Sequence, residues 1–74
     1  METHTLKKSE ERLADILVET KLASSKSDAQ RLVEQGGVSI DGTKTIDPNE
    51  IIELKNERVI KVGKHRFVKI RSTN

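Results

Sequence analysis

The chain offers few groups that could do chemistry alone. Its two histidines, His4 and His65, fall in a polar N-terminal stretch and in a turn. Neither has a second ligand at helical spacing, so a zinc site is not expected. Ser24, Ser25 and Ser27 lack a neighbouring base and read as helix caps. The acids are scattered singly, without the paired placement of glycoside hydrolysis. Gly36-Gly37 follows a helical pattern instead of opening one, so it is no phosphate loop. No catalytic residue and no metal ligand is assigned.

The cations carry more information. Residues 58–71 contain Arg58, Lys61, Lys64, Arg66, Lys69 and Arg71 and no acid, whereas residues 1–57 hold eight bases and twelve acids, a net of −4. The total of +2 is modest, but such segregation makes a local positive field suited to a polyanion. Lys and Arg also guard strand edges against aggregation. Phe67, alone among these cations, raises the idea of a base-stacking platform. The expectation adopted is that its ring completes a small core.

These groups must be positioned by one small domain. The 74 residues permit a thin core of Leu, Ile, Val and Ala. There is no Cys, which excludes disulfide staples and fits a cytoplasmic setting. No apolar run reaches the ~18 residues of a membrane span, and no signal peptide is visible. Residues 1–8 read as a disordered or artificial tail, 9–71 as the domain, and 72–74 as a second tail. A first helix is predicted from Ser9, with Leu13, Ile16 and Leu17 on its apolar stripe and an end at Thr20-Lys21. Leu22-Ala23 tucks back onto the core. A second helix is capped by Ser25, with Asp28 reaching back as in a capping box. Ala29, Leu32 and Val33 face inward. Lys26 and Gln30 lie along one edge, while Ser27, Arg31 and Glu34 face away. Gly36-Gly37 stops the helix. Val38-Ser39-Ile40 and Thr43–Ile46 form a hairpin across Asp41-Gly42. Ile51, Ile52 and Leu54 pack under a loop. Val59–Val62 and Arg66–Ile70 are two further strands, with Phe67, Lys69 and Arg71 opposite Val68 and Ile70. The expected fold is α+β, two helices packed on a small antiparallel sheet.

Arg12-Leu13, Leu17, Leu22, Ser25-Lys26, Ala29, Leu32-Val33, Gly37-Val38, Ile40 and Gly42 match in register the pattern R-L-x-x-x-L, S-R-x-x-A-R-x-x-I, G-x-V-x-V-N-G. Residues 12–44 thus resemble the S4, or alpha-L, RNA-binding fold. Lys26 and Gln30 stand where the family mostly has Arg, which keeps donors but loses the planar guanidinium fork. Asp41 replaces the usual Asn, and Ala14 a frequent Asp. The ending VGKHRFVKI makes the whole chain similar to the C-terminal domain of bacterial tyrosyl-tRNA synthetases.

The resemblance implies a non-catalytic domain excised from a class I synthetase, with tRNA(Tyr) as partner and no membrane. It implies no cofactor here, because ATP and tyrosine would bind a catalytic portion outside this chain. Neither a HIGH-like nor a KMSKS-like signature occurs. The parent is expected to dimerise through that portion and the isolated domain to be a monomer. The residues expected to meet RNA are Arg12, Lys26, Ser27, Gln30, Arg31, Gln35, Gly36, Lys44, Lys64, His65 and Arg66. Rival expectations are a ribosome-associated or rRNA-modifying protein using the same module, and a protein-docking domain. The lack of Trp and Tyr counts against the last.

Overall fold

Leu13, Ile16 and Leu17 do build a helix, but a short one that begins later than Ser9. The structure, a computed structural model, describes residues 2–64 and 66–73. Its elements are β1 (Glu2–Leu6), β2 (Glu10–Arg12), α1 (Leu13–Glu19), α2 (Lys26–Glu34), β3 (Val38–Ile40), β4 (Thr43–Lys44), β5 (Ile51–Glu53), β6 (Arg58–Val62) and β7 (Arg66–Ser72). One sheet runs β1-β7-β6-β3-β4, and β2 pairs with β5 in a separate ribbon. The expected α+β class holds. The main sheet is mixed, because β1 lies parallel to β7 while its other pairs are antiparallel.

The later start of α1 has a physical cause. A helix start leaves backbone N–H groups without intrahelical partners. Here the Leu13 amide donates to the Glu50 carbonyl at 2.9 Å and the Ala14 amide to the Pro48 carbonyl at 3.0 Å. The chain around Pro48 therefore caps α1, a role expected of Ser9. Glu10–Arg12 pairs instead with Ile51–Glu53. Residues 51–53, expected under a loop, are thus a strand, with Ile52 buried and Ile51 53% exposed. At the other end of α1, the Leu22 and Ala23 amides both reach the Leu17 carbonyl. This folds two buried residues back onto the core, as expected.

The N-terminal residues also depart from expectation. Glu2–Leu6 is no tail but an edge strand, in register from Glu2 opposite Val68 to Leu6 opposite Ser72. The β7 edge would otherwise present open backbone donors and acceptors, and Leu6 packs against the core. Because β1 and β7 lie at opposite ends of the sequence, no local pattern announces their pairing.

α2 follows its sequence closely. Ser25 accepts from the Asp28 amide at 3.2 Å, although the Asp28 carboxylate bonds the Ser24 hydroxyl and not the Ser25 amide. The helix closes with the Gly37 amide on the Leu32 carbonyl and the Gly36 amide on the Val33 carbonyl, both at 3.0 Å. With Gly36 at φ +76°, this is a Schellman ending. Asp41 and Gly42 turn the hairpin at φ +51° and +86°. Its return strand stops at Lys44, short of the predicted Ile46, which is 68% exposed.

The core joins Leu13, Ile16 and Leu17 of α1, Ala29 and Val33 of α2, and Val38, Ile40, Ile60, Val68 and Ile70 of the sheet. Phe67 is not in it. Strand alternation sends Val68 and Ile70 inward, so Phe67 faces out, 44% exposed.

Candidate nucleic-acid interface

Helical periodicity divides the polar residues of α2 into two edges. Asp28, Arg31 and Gln35 follow one another at spacings of three and four, beside half-buried Leu32. Lys26 and Gln30 take the opposite edge, four residues apart. The first edge borders a groove of about 720 Å³ whose far wall is the α1–α2 connection, Lys21 to Ser24. Arg31 and Gln35 were both foreseen. Lys21 and Ser24 were not. Lys21 stands at φ +62°, a left-handed position that usually selects glycine or asparagine. Lysine at a helix stop was the available signal, and its sequence reading went no further than the stop.

The Gly36-Gly37 bend gathers three elements. The Lys44 side chain lies across Gly36, so close that a Cβ there would sit 3.5 Å from both its Cδ and its Nζ. The bend therefore carries an ammonium beside the carbonyl end of α2, where the helix dipole favours a cation. On the other side, the Gly63 amide donates to the Gly37 carbonyl at 2.9 Å. That bond docks the β6–β7 turn, with Lys64, against the same bend. Arg66 stands in the row Val38–Val62–Arg66, beside it. His65 lies outside the described residues. Arg31, Lys44, Lys64 and Arg66 are all exposed.

Two other predicted residues lie elsewhere. Lys26 points at α1, with its Nζ 3.6 Å from the Asp15 carboxylate and its side chain 55% exposed. Arg12 borders a separate shallow groove with Lys8, Glu10, Glu11, Asp15 and Ile51. Three carboxylates there oppose an incoming phosphate. Ser27 and Gln30 are exposed on α2. The structure thus brings Lys44 and the Lys64 turn to the bend at Gly36, with Arg66 in the neighbouring strand row, sets Arg31 and Gln35 along the groove beside α2, and leaves Lys26 and Arg12 around Asp15.

Such a surface suits binding. It presents flexible cations and amide donors on rigid elements, which can match phosphate and ribose groups. Among the described residues, no three His, Cys, Asp or Glu side chains are grouped to hold a metal. No helix among them is long and apolar enough to cross a membrane.

Known proteins resemble this chain in sequence and fold. The family model for the tyrosine–tRNA ligase SYY-like C-terminal domain matches residues 1–70. The tyrosine–tRNA ligase of Thermotoga maritima is 51% identical over 61 residues, covering 82% of this chain and 15% of that protein. That of Mycoplasma genitalium is 44% identical over 70 residues, covering 93% of this chain and 18% of its own length. The chain therefore spans less than a fifth of these curated relatives. The solution structure of a tyrosyl-tRNA synthetase C-terminal domain superposes with a TM-score of 0.83 at 20% identity, covering 99% of this chain and 79% of that one.

Proposed function

The chain belongs to the family of tyrosine–tRNA ligase C-terminal domains, and from that premise we propose that it is the tRNA-binding module of such a ligase. It grips tRNA(Tyr) by backbone and shape contacts around the Gly36-Gly37 bend. The observation that supports this most is the meeting of Lys44 and the Lys64 turn at that bend, directly after Gln35, which lines the groove beside α2 together with Arg31.

The mechanism needs no base reading. Helical RNA hides its base edges in a deep, narrow groove, so a protein meets phosphates and 2′-hydroxyls. Arg31 offers a planar fork to one phosphate, and Lys44 and Lys64 offer point charges to its neighbours. Gln35 and the Ser27 hydroxyl add uncharged donors for ribose, while the Ser24 hydroxyl, already donating to Asp28, is left to accept. Each neutralised phosphate releases counterions, which makes binding salt-dependent.

Aminoacylation belongs to the catalytic portion of the parent ligase, where ATP and tyrosine would bind and through which the parent would dimerise. This chain is a non-catalytic, monomeric module working in the cytoplasm. Tethering gives even a modest grip a high effective concentration.

The test is a titration of tRNA(Tyr) at several salt concentrations. The double variant Arg31→Ala/Lys44→Ala should bind more weakly and flatten the slope of log K against log salt by about 2, roughly one per lost phosphate contact. An unchanged affinity and slope would remove both residues from the interface. An rRNA helix of matched length should bind less tightly than tRNA(Tyr), and equal binding would point to a general RNA module.

A further inference from the structure

Among the described residues, both helices pack on the core side of the main sheet, and the opposite face carries the chain's single Phe. Strand register aligns Lys44, Ser39, Lys61 and Phe67 in one row across β4, β3, β6 and β7. Because Ile40, Ile60 and Val68 in the adjacent row are buried, this row faces outward. Lys69 and Arg71 continue the same face along β7. Among the described residues, none of the outward positions of the sheet carries an acid. Glu57, just before β6, reaches Lys69 at 3.9 Å from the rim. Lys61 holds its ammonium 5.6 Å from the centre of the Phe67 ring, and that ring is 44% exposed.

We infer that this face docks an unpaired stretch of RNA, with one base stacked on Phe67 and the adjoining phosphates on Lys61, Lys69 and Lys44. The charge pattern chooses the occupant. An apolar protein partner would have to bury Lys44, Lys61 and Arg71 against one ring and the half-buried Val59, and buried cations without partners are costly. A polyanion with flat bases meets both features at once. An aromatic ring accepts any base face, and the Lys61 ammonium, yielding the ring face to the base, stays beside it to meet the adjoining phosphate. A regular duplex keeps its bases stacked inside, so the occupant is a loop, bulge or end whose bases are open. This surface is distinct from the groove beside α2, and Lys44 links it to the bend at Gly36.

A short labelled single-stranded RNA, read by fluorescence anisotropy at low salt, tests the assignment with the whole chain. Phe67→Leu keeps an apolar side chain and should weaken binding by roughly 5- to 150-fold, the effect of losing one stacked base. Phe67→Tyr should keep wild-type affinity, and Lys61→Ala should bind more weakly. Arg31→Ala should leave this affinity nearly unchanged while weakening tRNA(Tyr), which separates the sheet face from the α2 groove. Wild-type affinity in Phe67→Leu, no binding of the single strand by the wild type, or equal binding of a duplex of the same sequence would each overturn the inference. Each of these would leave the tRNA titration to be judged independently.

Discussion

Asp41 combines a left-handed backbone with a charge. At φ +51° it turns the hairpin, and its carboxylate accepts the Val59 amide at 3.0 Å and the Arg58 guanidinium at 2.9 Å. The Val59 amide first, and then Arg58, hold its carboxyl below the usual range. A depressed carboxyl stabilises the fold above its unfolded value, about 3.9, and that gain is lost as pH falls through the folded value. Asp41→Asn keeps a residue that tolerates the turn and removes the charge. Its side chain is 43% exposed, so the cost at pH 7 should be no more than about 1 kcal/mol. Urea melts of the two proteins should differ at pH 7 and converge as pH falls through the depressed value of the Asp41 carboxyl. A gap that persists in acid would trace the effect to the turn and not to the charge. Residues of this kind were legible in sequence because their roles are local. Asp41-Gly42 announced a turn, Ser25 a cap, and Gly36 a stop. Phe67, expected in the core, faces out because strand alternation turns Val68 and Ile70 inward and Leu, Ile, Val and Ala fill the core.

Elements were legible where their partners are near in sequence. α2 has its cap, stripe and stop within a dozen residues, and Ser25→Ala should cost about 1 kcal/mol by removing the bond to the Asp28 amide. Thermal unfolding would show this as a fall of several degrees, and no change would mean that Ser24 and Asp28 hold the helix start alone. α1 and β2 were harder, because the groups that cap and pair them come from residues 48–53. β1 was hardest, since its partner lies at the far end of the chain. Deleting residues 2–6 should lower Tm by about 5 °C or more, as Leu6 and a ladder of backbone bonds are lost. It should also promote association through the bared β7 edge. A melt and an elution volume identical to those of the full chain would contradict a structural role for β1.

At the scale of the molecule, a 74-residue domain has about 4–11 kcal/mol of stability in all. Ile60, fully buried at the centre of the sheet, should cost about 2–5 kcal/mol on truncation to Ala, enough to leave the variant marginal or unfolded in a denaturant melt. Near-native stability would mean that the sheet contributes little to the core. The same small frame explains the site. Two layers set the cations on the surface of the fold. The sequence already carried the cations that surround the Gly36-Gly37 bend. It did not carry their partition, because Lys26 and Arg31 are only five residues apart and yet face Asp15 and the groove respectively.

The central claim is that the bend at Gly36-Gly37 is where the RNA sits. Mapping amide chemical shifts during titration with tRNA(Tyr) tests it directly. Perturbations should centre on Arg31, Gln35, Gly36, Lys44 and Lys64 and fade toward Arg12 and Asp15. Shifts confined to the Arg12–Asp15 side, or none around the bend at saturating tRNA, would contradict it.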